Sequence, residues 1–382
     1  MRICLYTDTA LPKVGEQELV IDALARQFLA LGHEPVVLAP RPRKLWTNDE
    51  AFPYPVVRHP RFFSTRFFVS WYRWFLERQY RQRPFDVLHC HGVYPPSYLA
   101  ALAQPRIPVP VVVTSHGGDV YEQNVRLKKP AIGARCAKGL ANAAALVAIS
   151  RVTREGLTRL CPQAAPRIVD IPNGVQLANF SKAVARPADM DPTVEPGRYA
   201  IFLGQLKHRK GVDVLLQALA RTPTKGKVQL VIVGDGEERA FLEVLCDQLD
   251  LRERMRFLSA VTGPGKAWLL QNARFAVVPS RQWEAFSMVV LENFACALPT
   301  LATNVPGLAD MIQPERTGLL VPSESPEDMA AALTRLYDDD ALVQRMSRWT
   351  REVVRAYDWS KIAAKHLDLY ERLLGNSQAI AA

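Results

Sequence analysis

Residues 277–303 read VVPSRQWEAFSMVVLENFACALPTLAT. An apolar strand runs into Pro279 and Ser280, a loop carries Glu284, residues 286–297 have helical spacing, and Pro299 opens the next apolar run. The rest of the chain repeats this unit. In the second half the runs are YAIFL (199–203), QLVIV (229–233), MRFL (255–258), FAVV (275–278), PTLA (299–302) and GLLV (318–321), each followed by an amphipathic stretch. In the first half they are RICLY (2–6), PVVLA (35–39), DVLHC (86–90), PVVVT (110–114), ALVAI (145–149) and RIVDI (167–171). Continuous apolar strands, rather than alternating ones, are what a parallel sheet covered on both faces requires, so each half is expected to be a doubly wound α/β domain. Residues 178–198 carry Ser181, Pro187, Pro192, Pro196 and Gly197 without periodicity and read as a linker.

At 382 residues the chain exceeds what one hydrophobic core usually serves, which agrees with two domains. With 48% hydrophobic and 23% charged residues it is globular rather than disordered. No apolar run approaches the roughly 20 residues of a membrane-spanning helix. The opening MRICLYTD reads as a buried strand rather than a signal segment, so a cytoplasmic protein is expected. Six cysteines lie scattered in mostly apolar segments, with no pair at metal-ligand or redox spacing, and read as reduced thiols. A net charge of +10 favours anionic partners such as nucleotides, phospholipid surfaces or nucleic acid. The basic residues form no recognised nucleic-acid motif, so no nucleic acid is expected.

In open sheets of this type ligands sit beyond the carboxyl ends of the strands. Glu284 lies there, eight residues before Glu292. On one straight helix the two would stand about 12 Å apart, wider than the roughly 5–9.5 Å of paired glycosidase carboxylates. A loop-plus-helix arrangement, with each carboxylate holding a different hydroxyl cluster of one long ligand, fits better.

With its flanking Pro279-Ser280, Phe286, Leu291 and Pro299, this element resembles the Glu, seven residues, Glu element of the retaining family-four glycosyltransferases. The resemblance covers essentially the whole chain. It implies the GT-B fold: an α/β protein of two Rossmann-like, doubly wound parallel-sheet domains facing across a cleft. The domains would be an acceptor-side domain over 1–180, a nucleotide-sugar domain over 199–357, and a final segment over 358–382 whose helix crosses back to the first domain. The implied reaction moves a hexosyl group from a UDP- or GDP-linked sugar to an acceptor hydroxyl with retention of configuration, without metal or cofactor. The acceptor would be a glycan or lipid-linked molecule of envelope polysaccharide, lipopolysaccharide or glycolipid synthesis, on the inner face of the membrane.

The resemblance also implies roles. Glu292 would bind the ribose hydroxyls and Glu284 the donor sugar, while the backbone amides of Ser287, Met288 and Val289 face the diphosphate. FLGQLKHRKGVDVLLQAL (202–219) matches the diphosphate-binding segment, with Lys210 as its lysine and Gln205 where the family has an arginine. An amide cannot neutralise charge, and Arg209 is the nearby candidate to supply it. VVVTSHGGDVY (111–121) matches the motif whose histidine, here His116, lies near the donor sugar. His91 in DVLHCHG also matches a family pattern, with fold-supporting, acceptor-side and catalytic roles open. IPNGVQLANF (171–180) has Gln176 where an acidic residue is customary, and Asn173-Gly174 reads as a turn and hinge. In LVIVGDGEER (230–239) Arg239 replaces the third glycine of a dinucleotide fingerprint, and Gly234 and Asp235 are implied beside the base or ribose.

In LPKVGEQE (11–18), Gly15 falls on the first glycine of the family's Gly-Gly loop, a donor-phosphate contact, and Glu16 on the second. Together, Gln205 and Glu16 remove a positive charge and add a negative one at the expected diphosphate. They leave open a noncatalytic nucleotide- or sugar-binding protein of the same fold. Finally, RFFSTRFFVSWYRWFLERQYRQR (61–83) sets Phe63, Phe67, Trp71, Trp74 and Phe75 on one helical face, with Arg66, Arg73 and Arg81 largely elsewhere. It reads either as a core-facing helix with a solvated basic side or as a helix at an anionic membrane surface.

Overall fold

The computed structural model describes residues 1–42, 49–61, 65–188, 190–223 and 229–381. The chain forms two compact units, Met1–Asn173 with Trp359–Ala382, and Gly174–Asp358. The strands of the first are β1 (Arg2–Thr7), β2 (Glu34–Pro40), β3 (Val56–His59), β4 (Val87–His91), β5 (Val111–Ser115), β6 (Ala145–Ala148) and β7 (Ile168–Asp170). They form one parallel sheet in the order β3-β2-β1-β4-β5-β6-β7. The winding reverses between β1 and β4, and a ligand crevice opens at such a reversal. Its helices are α1 (Glu16–Ala30), α2 (Thr65–Gln82), α3 (Tyr98–Ala103), α4 (Pro130–Asn142) and α5 (Arg151–Leu160).

The second unit holds β8 (Tyr199–Leu203), β9 (Gln229–Val233), β10 (Met255–Leu258), β11 (Phe275–Val278), β12 (Thr300–Thr303) and β13 (Gly318–Val321). They too form a parallel sheet, in the order β10-β9-β8-β11-β12-β13, reversing between β8 and β11. Its helices are α6 (Val212–Arg221), α7 (Arg239–Gln248), α8 (Gly263–Asn272), α9 (Met288–Ala295), α10 (Pro326–Asp338) and α11 (Asp340–Val354). The last helix, α12 (Trp359–Ala381), belongs to the first unit and packs on α1, with Phe28 meeting the rings of His366 and Tyr370 edge-on.

Three sequence expectations are corrected. The segment 178–198 is not a free tether. It lacks strand or α-helix among its described residues but packs on the second unit: Val194 is buried, Gln271 donates to the carbonyls of Phe180 and Lys182, and Gly197 N donates to Asn272 O. The helix expected over 286–297 spans only Met288–Ala295, because Phe286 is buried as part of the preceding loop. In α2, Tyr72, Phe75 and Leu76 enter the core and Trp71 stacks on Phe75, but Trp74 lies on the solvent side beneath the Arg78 guanidinium. That is the core-facing reading with one aromatic displaced. Phe63 and the side chains of Arg66 and Phe67 lie outside the described residues. The six cysteines are free thiols, and among the described residues no helix is long and apolar enough to cross a membrane.

Candidate functional site

The second unit gathers charge where its sheet reverses. β8 leads into a turn, His208–Lys210, that ends at Gly211. Gly211 has φ 65°, and a Cβ there would stand 2.1 Å from the Pro279 carbonyl, so only glycine lets this turn lie against the end of β11. Arg281 ties the two loops together. Its guanidinium forks onto Asp213 at 2.6 Å and donates to His208 O at 3.0 Å, while its backbone N–H donates to Arg209 O.

Glu284 sits at the centre of this frame. Its backbone N–H donates to Pro306 O, and Gly307, with φ 89°, presses so closely that a Cβ would stand 1.7 Å from Glu284 O. The carboxylate, only 8% exposed, accepts from Lys210 Nζ at 2.5 Å, Ser280 Oγ at 2.7 Å and Arg209 Nη1 at 3.3 Å. Burial pushes the carboxyl up, but the Lys210 and Arg209 charges more than offset it and hold it below the ordinary value. Lys210, Arg209 and Glu284 are therefore one cluster rather than three separate contacts.

Ser287 caps α9, its Oγ accepting from Val290 N. The amides of Met288 and Val289 belong to the first turn, where helical N–H groups have no partner within the helix. Ser287 N itself approaches Met311 Sδ at 3.4 Å, so it differs from those two. Glu292, in the second turn, is bound by Lys266 Nζ of α8 at 2.6 Å. Gly234 and Gly236 have a structural reason to be glycine: a Cβ on either would stand 1.9 and 2.1 Å from the carbonyls of Gly204 and Leu206, where the loops after β8 and β9 touch. Asp235 is held by Ala260 N at 2.8 Å and Arg239 Nη1 at 3.3 Å. Lys266 and the Arg281–Asp213 fork were not marked by the sequence, because no local spacing joins partners 26 and 68 residues apart.

In the first unit Gly15 caps α1 and Glu18, at the third helical position, folds back so that a Cβ on Gly15 would lie 2.5 Å from its carboxylate. Glu16 Oε1 accepts from Asn173 Nδ2 at 3.1 Å. His116 follows β5 in a loop fixed by Asp119, which accepts from Val93 N, Ser115 Oγ and Gly117 N. His116 Nε2 lies 3.1 Å from His91 Nδ1, and the rings stack at 5.3 Å. Burial pushes His116 down to about 4, against the upward pull of Asp119 and Glu18. His59 and His366 are likewise pushed down by burial, to about 4 and about 3, and His89 and His91 lie well below the ordinary value.

These histidines are neutral in the fold at pH 7. As pH falls below 6.5 the unfolded chain takes up protons first, so stability present above 6.5 is lost on the way to about 4. Each such histidine removes up to about 1.4 kcal/mol per pH unit. The melting temperature is expected to drop steeply between pH 6.5 and 4.5; a flat profile there would contradict the buried neutral cluster.

Beyond the ends of β1, β2 and β3, where Thr7, Pro40 and His59 line it, lies a cavity of about 510 Å³, its walls including Phe68, Tyr72 and Leu99 and its rim Arg126, Lys129 and Arg135. Arg126 and Lys129 are exposed, and Arg135 donates to Tyr94 OH at 3.1 Å. Among the described residues no group of three His, Cys, Asp or Glu side chains is placed to hold a metal ion.

The two parallel-sheet units are those of the GT-B fold, and the chain belongs to the glycosyltransferases: residues 17–179 match the model of Glycosyltransferase Family 4 and residues 190–353 that of Glycosyl transferases group 1. It is 28% identical to phosphatidyl-myo-inositol mannosyltransferase of Mycolicibacterium smegmatis, over 98% of this chain and 95% of that protein. It is 32% identical to D-inositol 3-phosphate glycosyltransferase of Xylanimonas cellulosilytica, over 75% of this chain and 72% of the other. The fold is shared with Anabaena HepE, solved in complex with UDP, at TM-score 0.82 and 17% identity over 97% of this chain and 100% of that one.

Proposed function

We propose that the protein transfers a hexosyl group, with retention of configuration and without a metal ion, from a UDP- or GDP-linked sugar to a hydroxyl of a phosphate-bearing glycolipid or lipid-linked glycan. The observation that carries this reading is the Lys210–Glu284–Arg209 cluster at the sheet reversal of the second unit. Lys210 and Arg209, with the first-turn amides of α9, concentrate positive potential where a leaving diphosphate develops charge. Glu284 holds Lys210 before the donor arrives and binds a sugar hydroxyl afterwards. Glu292 takes the ribose hydroxyls, and Gly234 and Asp235 border the base. His116 orients the sugar, and Gly15 lies beside the phosphates. The acceptor oxygen attacks the anomeric carbon on the face from which the diphosphate departs, and the departing phosphate oxygen takes the acceptor proton.

Two features support the acceptor class. The relatives named above act on inositol compounds carrying phosphate, and the basic rim of the first-unit cavity suits an anionic group above an apolar wall. The test is a panel of UDP- and GDP-hexoses in EDTA, read as nucleoside diphosphate release and anomeric configuration by NMR. Release from one donor with a retained anomer is expected. Binding without release across the panel would favour the noncatalytic reading that Gln205 and Glu16 suggest. If Arg209 replaces the missing arginine, Arg209→Ala weakens diphosphate binding by about tenfold, as for one charged hydrogen bond; unchanged affinity would remove that role.

A further inference from the structure

The C-terminal helix carries two side chains with polar atoms, His366 and Tyr370, among the apolar ones it buries against the first unit. In β4, Leu88 and Cys90 join the apolar cluster on one side of the sheet, while His89 and His91 point to the other. There α12 supplies His366 and Tyr370, one turn apart and both buried. Tyr370 Oη lies 2.6 Å from His89 Nδ1, and Thr114 Oγ1 lies 2.7 Å from His89 Nε2, so both ring nitrogens of His89 are engaged. The His89 ring stands 4.2 Å from that of His91 and 5.3 Å from that of His366. His91 in turn meets His116.

A helix that only closed the fold would do so better with leucine and phenylalanine, because burying imidazoles and a phenol costs desolvation. The bonding pattern gives these polar groups a use. A neutral imidazole has one N–H and one lone pair. In the His91–His116 bond one ring donates, and that choice fixes where His116 carries its proton. If His91 Nδ1–H donates, His116 is protonated on Nδ1; if His116 Nε2–H donates, its Nδ1 is a bare acceptor. His116 Nδ1 and His91 Nε2 are both buried without a hydrogen-bond partner among the described residues, so neither has a local bond that sets the choice. The tilted contact of His91 with the doubly anchored His89, whose ring dipole stands 4.2 Å away, remains to bias it.

We propose that Tyr370 and His89, acting through His91, are positioning residues that fix the ring orientation and tautomer of His116, making the C-terminal helix part of the sugar-orienting apparatus. The proposal rests on the reading that His116 faces the donor sugar. The charged and titratable groups around His116 are Asp119 in its own loop, Glu18 from α1, His89 and His91 from β4, and His366 from α12, with Tyr370 behind His89.

The test uses the full chain labelled with ¹⁵N-histidine, its seven rings followed by long-range ¹H–¹⁵N correlation at pH 7.5, where the buried rings are neutral. His116 is expected to show one tautomer in the wild type. Tyr370→Phe, which removes a single hydroxyl, should move both ring ¹⁵N shifts of His116 toward those of a tautomer mixture. His91→Leu should do the same, and His91→Asn, which retains a hydrogen-bonding group near Nδ1, should restore part of the wild-type pattern. Thr114→Val loosens His89 without touching α12 and serves should Tyr370→Phe fail to fold. His116 shifts unchanged in Tyr370→Phe and Thr114→Val, while those of His89 respond, would overturn the proposal. In turnover, a misoriented His116 predicts a loss of about 10- to 100-fold in kcat with little change in acceptor KM. The spectra need no substrate, so a protein that proves unable to transfer sugar leaves this test standing.

Discussion

Lys210→Ala is expected to lower kcat by about 10²- to 10³-fold, the loss typical when one preorganised donor is removed from a developing oxyanion. The same change has a second consequence. Lys210 lies 2.5 Å from a carboxylate that burial alone would push up. Without it Glu284 keeps Ser280 at 2.7 Å and the half-exposed Arg209 at 3.3 Å, so its carboxyl should rise. In the wild type the lowered carboxyl contributes stability that is present above its unfolded value, near 4.5, and lost as pH falls through the folded value. In the variant that contribution shrinks and the acid limb of the kcat profile moves to higher pH. Turnover within a few-fold of wild type, with an unmoved acid limb, would show that Lys210 only pairs with Glu284.

The second large effect belongs to Glu292. Its carboxylate is bound by Lys266 at 2.6 Å and sits one turn into α9. Two ribose hydroxyls donating to one carboxylate are worth about 1.5–3 kcal/mol each, so Glu292→Ala should weaken nucleoside diphosphate binding by about 10²- to 10⁴-fold. The substitution also frees Lys266, a cation that favours anions. A loss of affinity in spite of that freed charge points to the carboxylate itself.

Most strands were legible because burial on both faces leaves one signature, a continuous apolar run, and YAIFL, QLVIV, MRFL, FAVV and GLLV coincide with β8, β9, β10, β11 and β13. β3 was missed because VVRH is short, lies at the sheet edge and carries Arg58, which reaches out to Asp49 and Leu11 O. The irregular segment before β8 misled because proline and glycine report the absence of regular structure, not the absence of packing. Glu284, Glu292 and Lys210 were proposed for the site because each lies in a short element whose residues carry the family resemblance. The long-range contacts of the fold were not legible: Arg281 reaches Asp213 across 68 residues, Lys266 reaches Glu292 across 26, and Tyr370 reaches His89 across 281. Such contacts exist only once the sheets have formed. The glycines of GDGE suggested a turn beside the base or ribose of a nucleotide but answer first to a backbone touching a backbone.

The central claim is that the second unit holds a nucleotide donor through Glu292. Isothermal titration of the wild type and of Glu292→Ala with UDP and GDP in turn, in EDTA, tests it most directly. The account predicts that the wild type binds one of the two nucleotides and that Glu292→Ala loses most of that affinity. Neither nucleotide binding the wild type, or Glu292→Ala binding as tightly as the wild type, would contradict it.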